Sequence, residues 1–467
     1  MDRTNKISWD KKANIALAAA LAIMFYMYLI RYSGNLSAMY NIKRAVVVSF
    51  FFFVPVLAVP LYFIIRRKVS CPVTVAFLAI VTGAAMMVRF ALLDYISPDY
   101  EGFLAGWIAQ IKQAPGLSGW AKPIGDYNMP YLYLLTVIAK FPSVPLYMIK
   151  IISILFDVVL AYYVMKLASL KTSSLNAQTA VFVLTLFIPT FFINSAYWAQ
   201  CDGIYAAFAA AFIYYALSGK GSLAVIFSAL AFSFKLQTIF ILPIMLIFLL
   251  IKKVNLRQLI YFPVTFVALL LPAIFAGKPV KDTVSIYINQ TEAYRRLSLK
   301  APSVFQFFYH YDVADDRTVT ESCLVQFDMF NTVGIMLAGA AVLVLLYFLW
   351  TYRARINNEI IIVSSFLLTI GIPYLLPRMH ERYFYLAEVF ALAVFAFDRR
   401  CWYVPFVTTF VSFCAYSSFI FADTDILPYF RVLSLLYLII IAVEVKHLYT
   451  LVKVRGDSAP ILKQETL

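Results

Sequence analysis

Residues 13–30 read ANIALAAALAIMFYMYLI, and this stretch decides the fold. One polar side chain, Asn14, interrupts it, and Lys11-Lys12 precede it. Its length approaches the ~20 residues that cross a bilayer as a helix. It is too long and too unbroken for the apolar core of a cleaved signal, and no small-residue cleavage site follows. It is therefore expected to stay as a first membrane helix.

The remainder repeats the pattern. Of 467 residues, 63% are hydrophobic and 13% charged, whereas a soluble domain is about half apolar and about a quarter charged. One water-soluble core cannot bury that excess, so lipid is the expected solvent for much of it. Further apolar segments fall near residues 45–65, 72–93, 145–166, 177–196, 203–217, 222–236, 238–251, 258–276, 331–350, 359–376, 384–397, 402–421 and 427–446. The expected fold is an all-α polytopic membrane protein, one domain over residues 1–467, with about 14 transmembrane helices. Two long outer loops, 94–130 and 277–330, hold amphipathic stretches (Phe103, Trp107, Ile111; Val304, Phe307, Phe308) suited to the membrane surface.

The net charge of +15 is assigned to topology, and no nucleic-acid partner is expected. With Arg3, Lys6, Lys11 and Lys12 in the cytoplasm, the alternate loops carry Arg66-Arg67-Lys68, Lys166 to Lys171, Lys220, Lys252-Lys253, Arg353 with Arg355, and Arg399-Arg400. The tail adds Lys446, Lys453 and Arg455. This is the positive-inside pattern. It predicts a cell-membrane protein with both termini cytoplasmic. The five cysteines show no metal-type spacing, and the three histidines are too scattered for a His-built metal centre. Cys201 and Cys323 both fall on the expected outer side, and counting cysteines leaves their pairing open.

In a membrane protein, ionisable groups near the hydrocarbon boundary need a partner or a task. Four clusters stand out, all on the expected outer face. The first is Asp94-Tyr95-Ile96-Ser97-Pro98-Asp99-Tyr100-Glu101. It reads either as a solvated helix start, Ser97-Pro98 opening the helix, or as a source of a general base. The second is the turn 377–383, Pro377-Arg378-Met379-His380-Glu381-Arg382-Tyr383. It is a headgroup anchor or an anion site, in which guanidinium forks and a histidine hold a phosphate and Glu381 orients them. The third, Phe234-Lys235-Leu236-Gln237, holds a lysine that snorkels outward or joins the phosphate ligands. The fourth is Tyr197-Trp198-Ala199-Gln200-Cys201-Asp202. Asp202 caps the next helix there, or joins Trp198 and Gln200 in holding a sugar. Carboxylates and a cationic trap on one face fit sugar transfer from a lipid phosphate. A carboxylate takes the acceptor proton, and the cations stabilise charge on the leaving phosphate.

At these residues the chain resembles the GT-C superfamily of polyprenyl-phosphate-sugar-dependent glycosyltransferases, from about residue 90 to 390. Asp99-Tyr100-Glu101 with Trp107 resembles the Gly-Asp-Tyr-Glu…Trp motif of the dolichyl-phosphate-glucose glucosyltransferases. Phe234-Lys235-Leu236-Gln237 resembles their Phe-Lys-Gln stretch, and His380-Glu381-Arg382 their His-Glu-Lys motif. Tyr197 to Asp202 is similar to the Trp-Gly-Gln-x-Asp segment of bacterial proteins related to GPI mannosyltransferases. The resemblance implies a GT-C-type helical bundle with Asp99 as base, beside Glu101. It implies Arg378, His380, Arg382 and Lys235 at the donor phosphate. It leaves Asp94, Trp107, Trp198, Gln200, Asp202 and Glu381 for sugar or acceptor. The partners implied are a polyprenyl-phosphate hexose (mannose or glucose), a lipid-linked or glycan acceptor, and membrane lipids. One base opposite the leaving phosphate implies inversion. The chain departs from the motifs at Pro98, where the family has glycine, and at Arg382, where it has lysine. No Asp-x-Asp pair occurs in the first outer loop, so no metal or other cofactor is expected. The competing expectations are a lipid or glycan-lipid transporter, with charges near the bilayer midplane and related halves, and a surface-polysaccharide polymerase or ligase.

Overall fold

A computed structural model of the chain describes residues 3–37, 41–114, 116–122, 124–141, 143–290, 296–308, 324–423 and 425–454. Nearly every described segment is helical, and the only strands among them are two residues long. Among the described residues, nine helices are long and apolar enough to cross a membrane: Asp10–Asn35, Ile42–Arg66, Pro72–Ala91, Pro145–Ala168, Leu256–Phe275, Asp328–Thr351, Asn358–Leu375, Arg399–Ile420 and Leu427–Lys453. A bent pair, Leu175–Phe187 and Pro189–Tyr197, passes the same test with a 50° break. The break has a local cause: Pro189 pushes Ile188 into extended backbone.

Lipid is the physical explanation for the exposed surface. The apolar window of Leu256–Phe275 is only 11% buried. Leu256, Ile260, Val264, Val267 and Leu271 are all exposed, and their spacing of three and four puts them on one helix face. In water such a stripe would be an aggregation site. The protein is therefore an all-α polytopic membrane protein.

Several expected spans form shorter elements. Residues 203–217 and 222–236 give the helices Asp202–Leu217 and Gly221–Phe234. Residues 384–397 give Tyr385–Phe397, a helix of 13 residues. Residues 238–251 split into a 3₁₀ turn, Leu236–Phe240, and a helix, Ile244–Leu250, because Pro243 lies between them. One short helix, Met129–Lys140, was not expected. Cys323 lies outside the described residues, as does part of the second long loop.

The chain divides into two compact units. The first comprises Met1–Tyr162, Phe182–Ala207 and Ala273–Pro279. Its Arg3–Tyr32, Ile42–Arg66 and Pro72–Ala91 helices pack on one another. Two features within this unit hold the start of the first long loop. Lys150, fully buried, donates to the carbonyls of Leu92, Leu93 and Tyr95 at 2.9, 2.9 and 2.7 Å. It thereby satisfies carbonyls that the end of the Pro72–Ala91 helix leaves without helical partners. Arg89 and Asp157 form a buried ion pair at 2.9 Å. Ser195 Oγ donates to the same carboxylate at 2.6 Å, and an Arg89 Nη1 hydrogen goes to the Leu186 carbonyl at 2.9 Å.

The second unit comprises Tyr163–Val181, Phe208–Pro272 and Val280–Leu467. Its core is the Asn358–Leu375 helix, whose apolar window is 78% buried. Asn357 caps that helix by accepting from the Ile360 N–H at 3.1 Å. Around it pack Leu324–Thr351, Tyr385–Phe397 and Phe430–Val454. Ser298–Leu299 pairs in parallel with Met379–His380, so a segment of the second long loop is stitched to the turn that follows the core helix.

Candidate active site

In the first unit the site is built on a helix start. Ser97 is its N-cap: Oγ accepts from the Tyr100 N–H at 3.2 Å, and the Ser97 carbonyl accepts from the Glu101 N–H at 3.0 Å. Pro98 takes the first helical position, where its missing N–H costs nothing. The helix-start reading of this cluster is what the backbone adopts, and it sets Asp99 one residue further on. From Tyr100 to Leu104 the helix widens into a π turn before Ala105–Gln113. Burial raises the Tyr100 phenol above its ordinary range, so it stays a neutral hydroxyl.

A second π turn, Ile193–Tyr197, delivers the partners. Directly after it, Trp198 Nε1 donates to Asp99 Oδ2 at 3.0 Å and Gln200 Nε2 donates to the same oxygen at 2.5 Å. Between them Ala199 holds φ at +66°, the left-handed region where glycine is the easier occupant and where the resembled Trp-Gly-Gln segment carries one. Ser97 Oγ closes the arrangement by donating to the Trp198 carbonyl at 2.6 Å. Strained backbone and π turns concentrate at functional sites, and both converge on this half-buried carboxylate.

Trp107 enters through Tyr127. The Tyr127 hydroxyl donates to Gln200 Oε1 at 3.0 Å, and its ring meets Trp107 edge-on at 5.4 Å. Gly125, at φ +59°, leaves room for that indole: an added Cβ would lie 2.2 Å from a Trp107 ring carbon. Gly125→Ala is expected to cost about 1–3 kcal/mol and to lower the melting temperature in detergent. An unchanged melting curve would show that the indole is not fixed there.

Other expected residues have separate partners. Asp94 accepts from the Ser37 N–H at 2.8 Å and from the Tyr147 hydroxyl. Asp202, 1% exposed, accepts from Asn194 Nδ2 at 2.8 Å and begins the Asp202–Leu217 helix, favourable for a carboxylate. Glu101 is exposed. Trp198 is fully buried, so its ring offers no open stacking face to a sugar. Its contribution is the indole hydrogen on Asp99.

In the second unit the cationic turn is ordered by backbone pairing with the Leu297–Leu299 segment. The Arg378 N–H donates to the Leu297 carbonyl at 3.0 Å, and Arg378 sits at φ +64°. Glu381, 2% exposed, lies between two basic side chains: His380 Nδ1 at 3.8 Å and Arg382 Nη1 at 3.5 Å. It holds both side chains on one short turn. The Lys235 segment follows the Gly221–Phe234 helix, and the Phe240 ring lies 6.5 Å from that of Tyr383. The stretch therefore runs beside the turn.

Sequence reasoning passed over Arg89, Lys150 and Asp157, which support the Asp99 neighbourhood, and did not assign Tyr127 to the site. The signal for the first three was present: charges inside apolar segments 72–93 and 145–166, where an ionisable residue needs a partner. No protein-family model and no curated protein matches the chain.

Proposed function

We propose that this protein is an inverting membrane glycosyltransferase. It moves a hexose from a polyprenyl-phosphate donor to an acceptor hydroxyl on the extracytoplasmic face. The observation that carries the reading is the Asp99 carboxylate, half-buried and fixed in plane by Trp198 and Gln200 on one oxygen. A general base needs that orientation before it needs anything else. Asp99 takes the proton of the acceptor hydroxyl as its oxygen attacks the anomeric carbon, and the carbon–phosphate oxygen bond breaks on the opposite side. Arg378, His380, Arg382 and Lys235 take up the charge that grows on the departing phosphate. The chemistry runs on these cations, without a divalent metal. An apolar groove of about 400 Å³ in the second unit reaches Leu375, three residues before Arg378, and suits a lipid tail. The topology that goes with this reading has about 14 crossings and both termini cytoplasmic.

A transporter is the second reading, favoured by the ion pair Arg89–Asp157 inside membrane helices. Purified protein incubated with polyprenyl-phosphate mannose and glucose and lipid-linked acceptors separates the two. Hexose transfer that persists in EDTA is expected. Arg382→Ala is expected to weaken donor binding about tenfold or more, since truncating a charged hydrogen-bond partner costs about 2–5 kcal/mol. An unchanged donor affinity returns the turn to a headgroup anchor, and absence of transfer from every donor favours the transporter.

A further inference from the structure

At the other end of the Tyr385–Phe397 helix from the cationic turn, the second unit gathers a different set of groups. One ligand atom each from Asp398, Cys401 and His447 lies within 4.8 Å of the others. His447 Nδ1 is 2.9 Å from Glu444 Oε2 and 3.8 Å from Cys401 Sγ. Glu444 is fully buried and Cys401 is 4% exposed. The spacing is regular: Asp398-x-x-Cys401 on one short turn and Glu444-x-x-His447 on one helix face. Residues three apart on a helix project to the same side.

An ion pair uses only part of this arrangement. The imidazole Nδ1 has one hydrogen or one lone pair, yet it faces both a carboxylate and a sulfur. Tyr403 has one hydroxyl hydrogen for Cys401 Sγ at 3.9 Å and Glu444 Oε1 at 3.2 Å. The cluster sets a thiol, an imidazole and two carboxylates side by side at a largely buried place. A divalent ion would satisfy thiolate, imidazole and carboxylates together.

We propose that Asp398, Cys401, Glu444 and His447 form a closed tetrahedral site for a zinc-type divalent cation. The sulfur, nitrogen and two carboxylates match the donors that such ions take, with bonds of about 2.0–2.3 Å. Those bonds require donor separations of roughly 3.3–3.7 Å; Cys401 Sγ and His447 Nδ1 stand at 3.8 Å, and His447 Nδ1 and Glu444 Oε2, hydrogen-bonded at 2.9 Å, must part slightly to take up the ion. Asp398 must turn from Arg400, whose side chain is 90% exposed and whose pairing is accordingly weak. Binding releases the thiol proton to solvent. With four protein donors and no open position, the role is structural: the ion staples the turn after Tyr385–Phe397 to the last helix. It is separate from the proposed transfer chemistry and does not rest on it.

The test uses the full-length protein in detergent, without a polyhistidine tag. Metal-free protein titrated with Zn²⁺ is expected to take up one ion per chain and to melt at a higher temperature. Co²⁺ is expected to give a thiolate-to-metal charge-transfer band. Cys401→Ser should lose that band, and Asp398→Asn, a near-isosteric change at a partly exposed position, should weaken Zn²⁺ binding about tenfold. Absence of Zn²⁺ uptake by the wild type overturns the proposal in favour of a Glu444–His447 ion pair. So does a Co²⁺ band that survives in Cys401→Ser.

Discussion

Asp99→Asn is expected to lower the hexose-transfer rate by on the order of 10³-fold while leaving the melting temperature and donor affinity close to wild type. The geometry makes this a clean substitution. Trp198 Nε1 and Gln200 Nε2 both donate to a single oxygen, Asp99 Oδ2, so the one carbonyl oxygen of asparagine can keep both bonds. What disappears is the ability to accept the acceptor's proton. Gln200→Ala should behave differently. The base survives but loses a donor that fixes its plane, and the Tyr127 hydroxyl loses the Gln200 oxygen it donates to. A fall of about tenfold is expected, the scale of a misplaced reacting group rather than a missing one. Radiolabelled hexose transfer under donor saturation, with thermal melts in parallel, checks both. Full activity in Asp99→Asn would remove Asp99 from the mechanism and with it the observation on which the proposed function stands.

The membrane class was legible because it depends on composition, which needs no contacts. So was the start at Ser97-Pro98, because capping is local. Glu381 stands between His380 and Arg382 because neighbours in sequence are neighbours in a tight turn. What failed to read depends on distance along the chain. Asp94 reads as a sugar or acceptor ligand, and its bond to Ser37, 57 residues earlier, has no sequence signal. Trp198 looked like a stacking platform, and only folding reveals that its ring is fully buried and its N–H aimed at Asp99. Helix lengths blurred where proline or lysine interrupts apolar runs, at Pro189, Lys235 and Pro243. Hydropathy registers the run and not the break.

The largest stability effect is expected at Arg89. Arg89→Leu leaves the Asp157 carboxylate buried with Ser195 as its recorded donor, and removing one partner of a buried ion pair costs about 3–5 kcal/mol. Asp157→Leu leaves a buried guanidinium with the Ala85 and Leu186 carbonyls and should cost a similar amount. The double variant Arg89→Leu/Asp157→Leu should recover most of the loss, because two matched apolar groups bury without penalty where one orphaned charge does not. Denaturation in detergent reads this coupling, and additive single losses would show that the two charges do not depend on each other. The pair also bears on the site. Ser195 belongs to the π turn Ile193–Tyr197, and Trp198 and Gln200 follow that turn directly. If the ion pair fixes the turn, the double variant regains stability but not full transfer, since Ser195 has lost its bond to another helix and keeps the Phe191 carbonyl four residues back, while Asp99 is untouched. Recovery of both would make the pair a fastener for the helices alone. Recovery of stability with transfer still reduced would make it the anchor through which charges within the membrane helices hold the base in place.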